Sequence, residues 1–159
     1  MGYDASPDAL DRDLVFDFFW HFSVFECALE REGYLKAGRG DYAQADWKAF
    51  AETIHGRFEV PCGDPLQEAI NVLRGRPPRR QIARDGRLAW GAVERSSSFE
   101  RYVLTLVKTT RNNLFHGGKY PDGDIAEVER DRTLLQAALK VLERCYELHP
   151  GLARWRDAA

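Results

Sequence analysis

Residues 99–119, which read FERYVLTLVKTTRNNLFHGGK, give the clearest structural signal in the chain. At about 100° per residue, their apolar side chains fall on one broad stripe, as in an amphipathic helix that packs on a core. The members of that stripe are Phe99, Val103, Leu106, Val107, Thr110 and Leu114. Gly117 and Gly118 then stop the helix, because glycine most easily adopts the left-handed conformation of a helix end. We therefore predict a helix from Phe99 to His116.

The end of this helix carries the residues that are candidates for chemistry. Asn112 and His116 lie four residues apart and share the polar face. His116 is at a helix C-terminus, where the dipole favours a protonated imidazole, and histidine suits proton transfer near neutral pH. Arg111 can clamp a phosphate with its planar fork, while Asn112 can orient His116 or the substrate. These residue types fit phosphate chemistry that requires no metal. The alternative is that Arg111 and Asn112 only tie helix ends together and that His116 is a capped surface residue.

Arg111 lies on a flank of the helix with two apolar neighbours, Leu104 and Phe115. An arginine in such surroundings needs a partner, and Glu26 is the first candidate because it lies among aromatic residues of an earlier helix. Burying a lone carboxylate is costly, so we expect Glu26 to pair with Arg111. The alternative is that Glu26 reaches solvent or pairs with a neighbouring arginine on the surface.

Two segments carry a resemblance to a known family. Residues 111–119, RNNLFHGGK, resemble the Arg-x4-His signature of the HEPN superfamily of small all-helical domains, in which a polar residue usually follows the arginine, as Asn112 does here. Residues 19–29, FWHFSVFECAL, resemble the first long helix of stand-alone bacterial members. The resemblance implies an all-α fold, a bundle of four to five helices in a single domain over residues 1–159, with an insertion at about 74–95.

The same resemblance implies an activity. Many members of this superfamily are metal-independent endoribonucleases, often toxins or defence effectors, whose active site forms where two copies of the motif meet. We therefore expect cleavage of single-stranded RNA at a homodimer interface, with no metal and no cofactor. The site residues are Arg111, His116 and Asn112 for catalysis, Glu26 and Asn113 for support, and Lys119 for substrate binding. Other members only bind RNA or nucleotide or assist a partner protein, so a non-catalytic module is the alternative.

The flank formed by Leu104, Arg111 and Phe115 is the predicted part of the homodimer interface, because a symmetric contact presents the same patch twice. A partner protein from the same operon, such as an antitoxin, is a further expectation. Toxins of this superfamily that pair with nucleotidyltransferase antitoxins often carry Tyr two residues after the His. That position is Gly118 here, and Tyr120 lies two residues further, which argues against that particular partnership.

The composition is that of one folded domain, with 159 residues, 44% hydrophobic and 12% aromatic. The net charge of −2 gives no global attraction to nucleic acid or to anionic membranes, so an RNA contact has to come from a local patch. Cys27, Cys62 and Cys145 are too scattered for a CxxC site and fit a reducing compartment. Neither a signal peptide nor a membrane-spanning run is recognisable, so we expect a cytoplasmic protein without a membrane partner.

The spacing of apolar residues predicts four further helices. Their expected starts and stops are Ser6 and Gly33 for the first, Asp46 for the second, Pro65 for the third, and Ile125 and Pro150 for the last. Serines 96–98 supply N-cap candidates for the helix that begins at Phe99. Three long apolar stripes indicate that the first helix, the motif helix and the last helix pack together.

Residues 74–90 differ in character from the rest of the chain. Glycine and prolines break the helix in 74–80, which reads RGRPPRR, and the Asp85-Gly86 turn with its short alternating flanks predicts a small hairpin. The arginines form a basic patch, and Trp90 offers a surface on which a base can stack. The alternative interpretation of this insertion is a solvated charged loop.

Overall fold

The computed structural model of the chain describes residues 10–115 and 125–159. In these ranges it has six α-helices, which are α1 (Arg12–Arg31), α2 (Trp47–Thr53), α3 (Pro65–Gly75), α4 (Phe99–Phe115), α5 (Ile125–Leu148) and α6 (Pro150–Asp157). Two small antiparallel sheets pair β1 (Leu35–Ala37) with β2 (Ala43–Ala45), and β3 (Arg80–Arg84) with β4 (Arg87–Gly91). The predicted helical class is confirmed as a mostly helical fold, with more helices and one more hairpin than expected. None of the helices in these ranges is long and apolar enough to cross a membrane.

The core is organised around α5, which packs against α1, α3, α4 and α6. Phe25 of α1 is fully buried at its centre, and the rings of Trp47, Phe50 and Tyr146 lie 5.1, 5.6 and 5.3 Å from it. These rings come from α1, α2 and α5, so one aromatic cluster joins three helices. Burying an aromatic side chain of this size stabilises the fold by roughly 1.5–3 kcal/mol.

Helix α1 begins later than predicted. The expected N-cap, Ser6, lies outside the described residues, and the helix itself starts at Arg12 because the Asp11 side chain caps it by accepting a hydrogen bond from the Asp13 N–H, at 2.9 Å. The predicted end is confirmed, since α1 stops at Arg31 and Gly33 has a φ of +92°. The predicted core stripe is buried at Phe18, Phe22, Phe25 and Leu29, while Leu14 is only partly buried.

Three of the other predicted helix starts are confirmed by side-chain caps. Asp46 Oδ1 accepts from the Ala49 N–H at 3.1 Å at the start of α2. Asp64 Oδ1 accepts from the Leu66 N–H at 2.8 Å in front of α3. Ser98 Oγ accepts from the Arg101 N–H at 3.3 Å at the start of α4. Each cap satisfies a backbone donor that the first turn of a helix otherwise leaves without a partner.

The predicted hairpin in the insertion is also confirmed. Asp85 and Gly86 have φ of +51° and +71°, the left-handed values that a two-residue hairpin turn needs, and Arg84 pairs with Arg87 across it. The β1–β2 hairpin was not expected. Its strands are three residues each, and its connection closes through a hydrogen bond from the Gly38 N–H to the Tyr42 carbonyl at 2.7 Å.

Helix α5 stops before Pro150, as predicted, but the chain then forms α6, which was not expected. Pro150 is the first residue of α6, and the His149 side chain accepts from the Leu152 N–H at 3.3 Å. The helix is held against the end of α1, because Leu152 is fully buried and Trp155 Nε1 donates to Glu32 Oε1 at 2.8 Å.

Candidate functional site

The motif lies at the end of α4, and the structure describes part of it. Arg111, Asn112 and Asn113 are described, whereas His116 and Lys119 lie outside the described residues. The predicted helix is confirmed from Phe99 to Phe115. The contacts of the site are therefore described for Arg111, Asn112, Asn113 and Glu26.

Arg111 is held against α1 by an aromatic ring. The central carbon of its guanidinium lies 5.4 Å from the centre of the Phe22 ring, and its Nη1 donates to Asn112 Oδ1 at 3.1 Å. A guanidinium over a ring face is attracted by the quadrupole of the ring. Arg111 has intermediate exposure and Asn112 is exposed, so both can be reached from solvent.

Glu26 has a hydrogen-bond donor in Trp47, a partner that the sequence did not suggest. Trp47 Nε1 donates to Glu26 Oε1 at 2.9 Å, and the indole stacks on Phe22 with ring centres 5.4 Å apart. Lys108 Nζ lies 5.7 Å from the centre of the Trp47 ring. Glu26 thus belongs to an aromatic and cationic cluster between α1, α2 and α4. A direct pair between Glu26 and Arg111 stays a prediction.

Asn113 has a positional role. Its side chain is buried, with 5% exposed, and its Nδ2 donates to the Arg79 carbonyl at 2.7 Å. This bond fastens the segment in front of β3 to the last turns of α4. Asn113 thus links the helix that carries Arg111 to the segment that leads into the β3–β4 hairpin, and its supporting role in the site stays a prediction.

Leu104 was predicted on an outward flank beside Arg111, and this prediction is wrong. Leu104 is 1% exposed and belongs to the core, because α4 packs against α2, α3 and α5 and its buried stripe is wider than an amphipathic pattern suggests. Thr109 of α4 is also buried, and its hydroxyl donates to the Thr105 carbonyl at 2.8 Å. Leu104 is therefore not available for an interface between two copies.

A groove of about 970 Å³ lies between α4 and the insertion. Its floor includes Arg101, Thr105, Lys108 and Asn112, which follow one another at spacings of four, three and four along a single stripe of α4. The stripe is about 16 Å long at the rise of an α-helix. The opposite wall is formed by residues 80–83 of β3 and by residues 93–97.

The lining of the groove is positive, although the chain as a whole is not. Among the residues that the structure describes, the lining contains four cations, Arg80, Arg95, Arg101 and Lys108, and one carboxylate, Glu94. The whole chain has a net charge of −2. Burial lowers the pKa of Lys108, an effect that Glu26 partly opposes. An anion that enters the groove therefore meets cations from both the floor and the wall. One of these cations, Lys108, has already lost part of its hydration.

Only half of the cations of this positive surface were predicted from the sequence. The basic insertion was evident from its arginines, but Arg101 and Lys108 on α4 were missed, even though their spacing of seven places them on one helix face with Thr105 and Asn112. Trp90, the predicted stacking surface, lines a second hollow with Arg76, Arg79 and Arg130. Arg74 of the insertion lies over the Phe99 ring at 5.3 Å, so it is engaged in packing.

Comparisons of the chain with protein-family models, with curated proteins and with solved structures gave no match. The resemblance to the HEPN superfamily therefore stands on the residues quoted for it, and function has to be argued from the site.

Proposed function

We propose that the protein is a metal-independent endoribonuclease of the HEPN type, which binds single-stranded RNA in the groove and cleaves it at Arg111 and His116 in a composite homodimer site. The observation that carries this proposal is the positive groove along α4. The residues of its floor are about one helix turn apart and extend from Arg101 to Asn112, which accepts a hydrogen bond from Arg111. A cationic track that ends at the motif is what an enzyme acting on a phosphate backbone requires.

The proposed reaction uses the nucleophile that RNA itself supplies. The 2′-hydroxyl attacks the adjacent phosphorus, the bond to the 5′-oxygen breaks, and the products are a 2′,3′-cyclic phosphate and a 5′-hydroxyl. His116 transfers a proton, and Arg111 stabilises the charge that develops on the phosphate oxygens. Asn112 accepts a hydrogen bond from Arg111 and thereby orients its planar fork.

In-line cleavage needs both a base and an acid, whereas one motif supplies a single imidazole. A two-fold homodimer brings a second His116, because a symmetric interface presents the same residues twice. The proposal therefore includes a homodimer whose two motifs contribute to one site.

The groove would hold the RNA strand on either side of the bond that is cut. In this proposal Arg101 and Lys108 from the floor and Arg80 and Arg95 from the wall, which all line the groove, contact phosphates of the strand. Such contacts carry no base specificity and weaken as salt is raised. The same groove also supports the alternative function, a module that binds RNA or nucleotide without cutting, because that function does not need His116.

Cleavage assays of labelled single-stranded RNA in EDTA test the proposal. We expect the wild-type protein to produce 2′,3′-cyclic phosphate ends, and His116→Ala and Arg111→Ala each to lower the rate by about 10²–10⁴-fold with an unchanged circular dichroism spectrum. The matched control is His55→Ala, since the His55 side chain is 77% exposed and lies outside the motif. That variant should cleave at the wild-type rate.

A substrate with one 2′-deoxyribose at the cleaved position separates binding from chemistry, because it keeps the phosphates and lacks the nucleophile. It should bind as well as RNA and stay intact. If the wild-type protein binds RNA without cutting it, and His116→Ala binds equally well, the non-catalytic module is the function. If neither RNA nor the deoxy analogue binds, both functions are rejected.

A further inference from the structure

The outer face of α1 exposes large apolar side chains to solvent. Phe16 is 63% exposed and Trp20 is 47% exposed. With Ser23 and Cys27, which are also exposed, they form a stripe at spacings of four, three and four on the side of α1 opposite the buried Phe25. This is the repeat of a seam between two packed helices. Large exposed apolar side chains grouped in this way mark an interaction surface.

We propose that this stripe binds the same stripe of a second copy of the chain, with the two α1 helices antiparallel. The inference deepens the proposed function, because it names the surface through which the two copies that the composite site needs would meet. When the two-fold axis passes between residues 21 and 22, the large side chains of one stripe lie opposite the small side chains of the other. Phe16 then faces Cys27 of the second copy, and Trp20 faces Ser23. A large side chain meets a small one at every level of the seam.

The charges on both sides of the stripe support the same register. On the helical wheel, Arg12 and Glu30 lie on one flank of the stripe, and Asp13 and Arg31 lie on the other. In an antiparallel pair with two-fold symmetry, each flank of one α1 lies beside the same flank of the other α1, which runs in the opposite direction. Arg12 therefore lies opposite Glu30 of the second copy, and Asp13 lies opposite Arg31. The single register that matches sizes also pairs four sets of opposite charges at the rim.

Arg31 is compatible with this role although it also contacts its own chain. Its guanidinium lies over the Trp155 ring at 4.8 Å. Stacking occupies the face of a guanidinium, while its N–H donors lie at the edge, where a carboxylate can be bound.

The pairing also relates the two motifs to each other. Arg111 lies over Phe22, which is next to the proposed two-fold axis and on the side of α1 that carries Arg12 and Glu30. The two-fold axis is perpendicular to the plane of the two helices, so this side of α1 faces the same direction in both copies. The two Arg111 side chains would therefore lie level with the axis and on the same side of the paired helices.

Sedimentation equilibrium of the full chain gives the first test. Trp20→Glu should weaken self-association by at least about 100-fold, because it removes a central aromatic contact and places a charge in the seam. The matched control is Tyr42→Glu, since Tyr42 is 76% exposed and lies in the connection between β1 and β2. The control should associate like the wild-type protein, and both variants should keep the helical spectrum.

A charge swap tests the register. Arg12→Glu alone and Glu30→Arg alone should each weaken association about tenfold, because each creates two like-charge contacts in a symmetric dimer. The double variant should associate like the wild-type protein, and so should an equimolar mixture of the two single variants. The two residues are about 27 Å apart along one helix, so the rescue can arise only between chains. Absence of rescue in both experiments overturns the antiparallel register.

The remaining outcomes are also decisive. A strict monomer at micromolar concentration overturns the inference, and so does a monomer whose Trp20 becomes accessible to a quencher only after residues 1–9 are removed, because the chain then covers its own stripe. A dimer that follows the charge swap but cuts no RNA keeps this interface and rejects the cleavage proposal. An active enzyme whose dimer is unaffected by Trp20→Glu rejects the interface alone.

Discussion

The two ends of α4 each carry a charged residue and use it differently. Glu100 in the first turn is 1% exposed, and its Oε1 accepts from the Gly56 N–H at 2.9 Å and from the Phe58 N–H at 3.4 Å. Its Oε2 lies 3.4 Å from His55 Nδ1. Arg111 near the other end is partly exposed and lies beside a groove of like charge. The first residue clamps the loop after α2, and the second is presented to solvent.

This difference separates residues that hold the fold from residues that are available to a ligand. A buried carboxylate with donors from its own chain contributes to stability, and its loss leaves those donors without a partner. Cations that face one another across a groove repel, so they contribute little to the fold and favour the binding of an anion.

Arg111→Lys should separate activity from stability most clearly. The ammonium keeps the charge but loses the planar fork, so we expect RNA cleavage to fall by about 10²–10³-fold. The free energy of unfolding should change by less than about 1 kcal/mol, because the residue is not in the core. Steady-state kinetics and urea denaturation measure the two effects. A variant that keeps full activity would remove Arg111 from the proposed site.

Glu100→Ala should show the opposite pattern. Two backbone N–H groups lose a charged acceptor, so the free energy of unfolding should fall by about 3 kcal/mol, measured in urea. Glu100→Gln keeps a neutral acceptor and should lose about 1 kcal/mol. RNA affinity measured under folding conditions should stay at the wild-type value for both. A loss of affinity in the folded Gln variant would contradict the division between the two ends.

Asn113 and Asn112 provide a matched pair of neighbours on α4. Asn113→Ala removes the bond to the Arg79 carbonyl, so we expect a loss of about 1–2 kcal/mol in the free energy of unfolding and faster amide exchange in β3. Asn112→Ala should be neutral for stability, because Asn112 is exposed. Equal effects of the two substitutions on stability would show that the hairpin does not depend on Asn113.

Arg101→Gln should weaken RNA binding and change its dependence on salt. One phosphate contact fewer should reduce the slope of log affinity against log salt by about 0.7. The control is Arg87→Gln, at the tip of the hairpin next to the turn and outside the groove lining. If both arginines change the slope equally, the charge of the insertion as a whole, rather than the groove, binds the RNA.

The pH dependence of binding should report on Lys108. Burial lowers the pKa of this amine in the free protein, and a bound phosphate favours its protonated form. Affinity should therefore be constant below that lowered pKa and fall as the pH rises through it, because the amine then loses its charge. Titration with single-stranded DNA, which lacks the 2′-hydroxyl, measures the effect. Lys108→Arg should abolish it, since arginine does not titrate in this range.

Local signals made the starts of α2, α3 and α4 and one hairpin predictable from sequence. Asp46, Asp64 and Ser98 cap helices through bonds that span two or three residues, and the Asp85-Gly86 turn needs only its own backbone. The β1–β2 hairpin was missed because three-residue strands with mostly exposed side chains show no alternation. Helix α6 was missed because Pro150 was interpreted as a stop, whereas proline also suits the first position of a helix.

Long-range placement is what the sequence could not supply. Whether Leu104 is buried depends on three helices that pack around α4, and whether Glu26 bonds Trp47 depends on how α2 meets α1. The groove lies between α4 and the insertion, which the Asn113 side chain contacts at the Arg79 carbonyl. The residue types of the site were therefore predictable, but their common surface was not.

The attachment of the insertion has a consequence for how its sequence can change. Asn113 binds the carbonyl of Arg79, and Arg130 Nη2 donates to the carbonyl of Pro77 at 3.0 Å. Both bonds use the backbone of the insertion, so neither depends on which side chains it carries. Evolution or a protein engineer can therefore exchange the hairpin's charges and rings while its position beside α4 is retained. The side chains that form the wall of the groove can therefore vary in sequence while the backbone that carries them keeps its position.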